Sequence, residues 1–564
     1  MTRLTLSHDV GATDLPLIEL PIGRHFESIA SRFPDREAVV SCHQGLRYTY
    51  AQLDREADRL ASALMRAGLA KGDRVGIWAH NSAEWLLMQI ATAKAGIVLV
   101  NINPAYRVTE LEYALNKVGC KMLVTMTAYK TSDYLAIVNE LAPELARSQP
   151  GSLSAARAPT LRTVVQLGKT PVPGMQAFAD LMATGDANDP AVAATGATLD
   201  ANDPINIQFT SGTTGFPKGA TLTHRNILNN GFFIGECMKL TEQDRLCIPV
   251  PLYHCFGMVL GNLACLTHGS AIVYPNDGFD PLTVLETVQA EKCTGLHGVP
   301  TMFIAELAHP RFKEFDLSTL RTGIMAGSPC PIEVMKQVVE LMHMSEVTIA
   351  YGMTETSPVS CQSTTETPLE IRVSTVGLVQ PHLEVKVVDP ESGAVVPVGA
   401  TGEFCTKGYS VMKGYWGDEA KTREAIDADG WMHTGDLATM DAEGYVNIVG
   451  RIKDMVIRGG ENIYPREIEE FLYRHPAVSD VQVIGVPDSR YGEELCAWII
   501  LKGGQQATAD DIRAFCKDKI AHYKVPRHIR FVEAFPMTIT GKIQKFVMRD
   551  EMKRELNLVE QKTA

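Results

Sequence analysis

The strongest constraint on the fold is a hydrophobic period that switches back and forth between residues 49 and 101. Leu53, Ala57, Leu60, Ala61 and Leu64 recur at three-to-four spacing. Residues 49–68 therefore predict an amphipathic helix, with Thr49 as N-cap and Gly68 as C-cap. Residues 73–79 then read as a short strand, 83–95 as a helix and 97–101 as a β-branched buried strand. Alternating helices and buried strands cover each other when the helices lie on a parallel sheet, so an α/β body is expected. The most apolar stretch, Leu86 to Ile102, is broken by Lys94. It reads as a helix entering a strand rather than as a membrane span, and no integral membrane segment is expected. At 564 residues the chain exceeds what one core organises, so more than one domain is expected.

The pattern changes along the chain. Residues 142–160 and 183–203 are rich in Ala, Pro, Gly, Asp and Ser and read as surface excursions or linkers. From about residue 376, short strands at Glu384 to Val388, Gly402 to Thr406 and Tyr445 to Val449 are separated by turns, which predicts a small β-rich module. After Gly450 an α+β tail comes next, with strands at 454–458, 481–486, 496–502 and 528–532 and helices at 465–474 and 509–520.

The formal charge is −13, yet residues 452–564 carry 18 Lys/Arg against 17 Asp/Glu, so the tail is near neutral and the body acidic. That balance argues against a nucleic-acid partner, which calls for a basic face. It leaves anionic small molecules open, because a few local donors suffice for phosphate. The twelve cysteines include no C-x-x-C pair and no Cys/His cluster in the sequence, which disfavours structural zinc. Free buried thiols and a cytoplasmic location are the expectation, since the first residues carry Asp9 and no signal-like apolar run.

One segment stands out chemically. Ile205, Ile207 and Phe209 alternate as a strand that runs into Thr210, Ser211, Gly212, Thr213, Thr214, Gly215, Phe216, Pro217, Lys218 and Gly219. Glycines let backbone N–H groups approach an anion, hydroxyls donate, and lysine adds a point charge, so the loop suits phosphate. It is not a Walker A loop, because Lys218 lies between Pro217 and Gly219. A Ser/Thr/Gly surface turn is the bland alternative for such a string.

The string TSGTTGFPKGA resembles the signature loop of the adenylate-forming superfamily: acyl-CoA synthetases, luciferases and peptide-synthetase adenylation domains. Four further motifs match in order, and INPAYR at 102–107 with PLYHCFG at 251–257 is most similar to bacterial medium-chain fatty acyl-CoA synthetases. The resemblance implies ATP, Mg²⁺ and CoA, a carboxylic acid substrate, and two domains: residues 1–450 binding nucleotide and acyl group, and a mobile cap at 451–564 hinged near Lys453. It implies nucleotide contacts from Gly327, Ser328, Tyr351, Gly352, Met353 and Thr354, with Tyr351 stacking adenine and Thr354 donating to the α-phosphate. Glu355 is then the Mg²⁺ ligand, Asp436 and Arg451 bind ribose, and Gly459 and Gly460 border a CoA tunnel. Lys542 resembles the catalytic lysine, and also the site at which a lysine acetyltransferase modifies bacterial relatives. His254 is similar to the histidine at the mouth of the acyl pocket, which Tyr253, Phe256 and Met258 would line. Met258 stands where long-chain relatives carry a Trp gate. A homodimer is an added expectation. The same motifs serve an aryl-CoA ligase, where pocket shape decides, or an adenylation enzyme that loads a carrier protein, against which the lack of a following carrier domain in this sequence weighs.

Overall fold

In the computed structural model the helix Tyr50–Arg66 begins as its sequence demands. The Thr49 side chain accepts from the Gln52 backbone N–H, and the Gln52 side chain accepts in return from the Thr49 N–H. Its apolar stripe packs on the helix Ala83–Ala95, which is buried except at Glu84, is capped by Ser82 and is ended by Gly96 in the left-handed region. The structure describes residues 3–129, 132–210, 217–328, 330–458, 461–488, 490–517, 519–538, 541–556 and 558.

Two large sheets form the body. One has the order 176–177, 163–166, 122–125, 74–78, 98–101, 204–210, 218–223 and 414–415. Its first six strands pair in parallel, and the last two close it as antiparallel partners. The other has a parallel centre of 271–274, 245–247, 295–296, 322–326 and 346–352, with antiparallel strands at both edges. A third, antiparallel sheet joins 383–388, 402–408, 432–440 and 446–451, and the N-terminal strand His8–Val10 adds to its edge. The tail builds its own sheet from 456–458, 461–463, 478–488, 492–501 and 528–531, with helices Pro465–Leu472, Ala509–Cys516 and Lys545–Glu555. It also has its own core around Val483, Leu495, Ile499 and Ile468. The expected α/β body, β-rich module and α+β tail are all present.

The two stretches read as surface excursions or linkers are mostly exposed, but each is pinned to the body by a few buried residues. Residues 142–160 run largely over the surface, with Leu145, Leu153, Ala155 and Ala158 buried against the first sheet as anchors. Residues 183–203 contain the helix Pro190–Gly196, capped by Asp189. The Asp189 carboxylate also accepts from Ser62 at 2.7 Å and Arg66 at 3.1 Å. Both segments bury small residues in non-periodic coil or short helix, so no helical or strand period marks them. No described helix is long and apolar enough to cross a membrane. All twelve cysteines are free, and all but Cys42 and Cys237 are buried.

Lys94 explains why the apolar stretch from Leu86 tolerates a cation. Its ammonium is buried between helices, 2.6 Å from both Asp54 and Asp58 and 3.3 Å from Glu27. Removing the cation would strand three partly exposed carboxylates, so Lys94→Met should lower stability by about 3 kcal/mol in urea unfolding. An unchanged urea midpoint would show that the triad contributes nothing.

Candidate active site

The carboxyl ends of two strands, 204–210 and 346–352, meet between the two large sheets, which is where open α/β sheets bind ligands. Glu355 sits one turn beyond the second strand and is buried. Its Oε1 accepts from the Thr210 hydroxyl at 3.1 Å and from the Tyr415 hydroxyl at 2.8 Å. Tyr415 in turn accepts from Lys218 Nζ at 3.1 Å, and that ammonium lies 4.2 Å from the centre of the tyrosine ring. Burial first and Glu355 second push the Tyr415 hydroxyl well above the usual tyrosine range, so it stays protonated and donating. Thr210, Lys218 and Glu355 thus belong to one array. Ser211, Gly212, Thr213, Thr214 and Gly215 lie outside the described residues, as do Gly459 and Gly460.

A second array stands beside it. The Tyr351 hydroxyl donates to Asp436 Oδ2 at 2.7 Å, and Arg451 Nε donates to Asp436 Oδ1 at 3.0 Å. Asp436 and Arg451 are direct cross-strand partners, which fixes the pair. Against the opposing effect of burial, Asp436 and Asp454 hold the Arg451 guanidinium above its ordinary pKa. The Tyr351 ring meets Phe404 edge-on at 5.2 Å. Gly352 is required where it stands, because an added Cβ would lie 1.6 Å from the Pro358 carbonyl oxygen. Met353 and the buried Thr354 continue that turn, while Gly327, with φ +92°, and Ser328 end the neighbouring strand.

The tail delivers Lys542 to the same place. A tight hairpin presents it: Met537 bridges Ile543, Thr538 N–H donates to the Lys542 carbonyl at 2.8 Å, and Lys542 N–H donates to Thr538 Oγ1 at 3.1 Å. Gly541 has φ +76° and passes so close to the body that a Cβ would sit 3.0 Å from Val299 and 3.2 Å from Thr301. Burial, then repulsion from Arg451, lowers the Lys542 pKa, while Glu355 and Asp436 oppose that change. Burial, with Lys542 adding repulsion, also drives His254 down to about 3, so its imidazole is neutral. His254 Nδ1 accepts from the Phe256 N–H at 3.2 Å, which leaves the proton on Nε2. Lys453, in the turn Ile452–Asp454 between body and tail, is also lowered, by burial and then by Arg451.

The chain belongs to the AMP-binding enzyme family. That family matches residues 26–416, and the AMP-binding enzyme C-terminal domain matches residues 467–542. The Bacillus subtilis protein YngI, whose name places it with acyl-CoA synthetases, is 54% identical over 96% of this chain and 99% of its own. The mitochondrial medium-chain acyl-CoA ligase ACSF2 of Macaca fascicularis is 47% identical over 98% of this chain and 90% of its own. Among solved structures, the anthranilate CoA ligase AuaEII in complex with anthranoyl-AMP superposes with a TM-score of 0.85, at 28% identity, covering 97% of this chain and 99% of its own. Within its family, this chain is an AMP-forming acid–CoA ligase that uses ATP and CoA and passes through an acyl-adenylate.

The structure also shows members of the site that motif reading passed over. Tyr415 joins Glu355 to Lys218, yet its segment MKGYW carries no phosphate or metal signal. It arrives because Ala220 pairs with Tyr415 across the sheet edge. Beneath the loop 251–258, a buried chain runs from Cys255 Sγ to Gln208 (3.2 Å), Gln208 to Asn206 (3.0 Å) and Asn206 to Asn101 (3.0 Å), ending at the Tyr253 carbonyl (2.9 Å). Met258 is buried, and its sulfur accepts from Asn101 at 3.3 Å. Tyr253 and Phe256 are buried as well, the latter with its ring 5.4 Å from His297. These amides sit in strand positions whose alternation reads as core in the sequence. Tyr415→Phe removes the donor to Glu355 while keeping the ring under Lys218. The loss of a hydrogen bond to a charged group should slow ATP–pyrophosphate exchange about tenfold. Exchange at the wild-type rate would exclude Tyr415 from the working site.

Proposed function

We propose that this acyl-CoA synthetase activates a medium-chain aliphatic acid, with the work divided between the two arrays and Lys542. The observation that carries the reading is the convergence of Lys542, from the tail, on a site built by the body around Glu355 and Asp436, with Arg451 at the boundary between the two. In the first half-reaction a carboxylate oxygen of the acid attacks the α-phosphorus of ATP. The bond to the bridging oxygen breaks and pyrophosphate leaves. The Lys542 ammonium lies between the attacking carboxylate and the α-phosphate oxygens. It offsets the repulsion of two anions and the charge that grows in flight. Loop 210–219, with Lys218, holds the departing phosphates. Asp436 keeps spare lone pairs for both ribose hydroxyls while Arg451 and Tyr351 fix its carboxylate. Neutral His254 offers its Nε2–H to the acyl oxygen at the pocket mouth.

Glu355 suits magnesium, because a buried carboxylate flanked by hydroxyls is an all-oxygen donor set for a hard cation. When bound, the ion would neutralise phosphate charge. In the second half-reaction the tail, residues 451–564, turns about Lys453. The CoA sulfur attacks the acyl carbonyl and AMP leaves. Contacts to be released in that turn include Arg466 donating to the Ile448 carbonyl and the Ile332 N–H donating to Glu470. Acetylation of Lys542 by a lysine acetyltransferase would remove its charge and stop the first step.

Lys542→Ala should slow ATP–pyrophosphate exchange by at least about 10²–10³-fold, while thioester formation from supplied acyl-adenylate continues. Equal loss in both halves would sink the assigned role. The chain-length reading rests on relatives named for medium-chain acids. Measured as AMP release with ATP and CoA, kcat/KM should peak at medium-length linear acids and fall for acetate, long-chain and aromatic acids. A maximum on benzoate-type acids would make the protein an aryl-CoA ligase instead.

A further inference from the structure

The third sheet brings together a donor set that the linear sequence, which shows no Cys/His cluster, hides. Glu403 and Cys405 stand two residues apart on the strand Gly402–Gly408, and two residues is the repeat that returns a side chain to the same face. Cys405 pairs across the sheet with His433, on the strand Met432–Met440. His433 Nδ1 lies 2.9 Å from Glu403 Oε2 and 3.5 Å from Cys405 Sγ, and all three donor atoms lie within 4.8 Å of one another.

We propose that Glu403, Cys405 and His433 bind a borderline-soft divalent cation of the zinc class, and that its binding weakens recognition of the ATP ribose. The donor set of thiol, imidazole and carboxylate matches such an ion, whereas magnesium and calcium prefer oxygen alone. A tetrahedral ion with ordinary bond lengths spans a sulfur–nitrogen edge of about 3.5 Å and a nitrogen–oxygen edge of about 3.3 Å. The first edge is already present, and the second needs only a small opening. The outer face of the imidazole is also prepared. His433 Nε2 lies 3.5 Å from Asp427 Oδ2, and backbone N–H groups of Asp429 and Trp431 hold the other Asp427 oxygen at 2.9 Å. A carboxylate there is the usual outer partner of a metal-bound histidine. Binding releases the thiol proton to solvent and moves the imidazole proton from Nδ1 to Nε2, where Asp427 receives it as a hydrogen bond. Lys386, whose ammonium lies 4.1 Å from the Trp431 ring centre, balances part of the local negative charge. Cys405 and Glu403 are inner and His433 is half-buried, so the ion enters past the imidazole.

The link to ATP is Glu403. Its second oxygen, Oε1, accepts from the Gly435 N–H at 3.0 Å. Gly435, with φ +70°, sets the turn that aims Asp436 at the ribose position. An ion that draws on Glu403 loosens that turn.

The test uses the full-length protein with Co²⁺ as a spectroscopic probe and Zn²⁺ as competitor. Wild type should show a thiolate-to-cobalt charge-transfer band that Zn²⁺ abolishes. Both Cys405→Ser, which is nearly isosteric, and His433→Gln should lack the band. Cys405→Ser should keep its activity without added metal. Zn²⁺ should raise the wild-type KM for ATP about tenfold, the scale of one weakened charged hydrogen bond, and leave the Cys405→Ser KM where the metal-free value lies. A band that persists in Cys405→Ser, or no band in wild type, overturns the site. Cobalt binding at Cys405 with a zinc-independent ATP KM overturns the coupling.

Discussion

The Glu355 carboxylate is the joint on which the site depends. It is buried at the seam of two sheets, and a buried charge persists only where donors converge on it. Thr210 arrives from the first sheet, while Tyr415 arrives from the strand that closes that sheet's edge. These two bonds register one sheet against the other. They also bring Thr210, Lys218 and the turn after the strand 346–352 together. The same carboxylate gives the incoming Lys542 an opposite charge to face.

The second joint is Asp436, held from two sides by Tyr351 and Arg451. It couples the second large sheet to the antiparallel module, whose last strand runs directly into the turn Ile452–Asp454. A residue proposed to sense the nucleotide therefore sits next to the point about which the tail is proposed to turn. Occupancy of the ribose site and the position of the tail are physically adjacent events. The Glu403 cluster lies one turn from that joint, through the Gly435 N–H, which is the route by which an ion there is proposed to reach ATP affinity.

Part of the proposed site was legible from motifs in which a strand end is followed by polar chemistry. Thr210 ends a strand, Glu355 comes just after one, and Asp436 and Arg451 are cross-strand neighbours. For Thr210 and Glu355 local sequence names both the element and the candidate side chain, whereas the Asp436–Arg451 pairing is set by strand register. Tyr415, Gln208 and Glu403 were not legible. Each acts through a partner far away in the chain, and nothing in its own neighbourhood distinguishes it from a core or surface residue. The buried anchors within residues 142–160 and 183–203 escaped for a related reason. Irregular coil buries small side chains without any period, so composition alone does not reveal them.

The sequence by itself determined the alternation that makes the body α/β, the tail as an α+β unit, and the residues proposed to carry phosphate, ribose and charge-bridging chemistry. Periodicity and strand-end motifs are local properties, so the chain states them directly. Only the tertiary structure decided that Thr210, Tyr415 and Glu355 share one proton-donor array, that His254 is neutral, and that a thiol, an imidazole and a carboxylate from two strands meet. Those facts depend on burial and on strand register, and both are set by how distant segments pack rather than by any segment's own sequence.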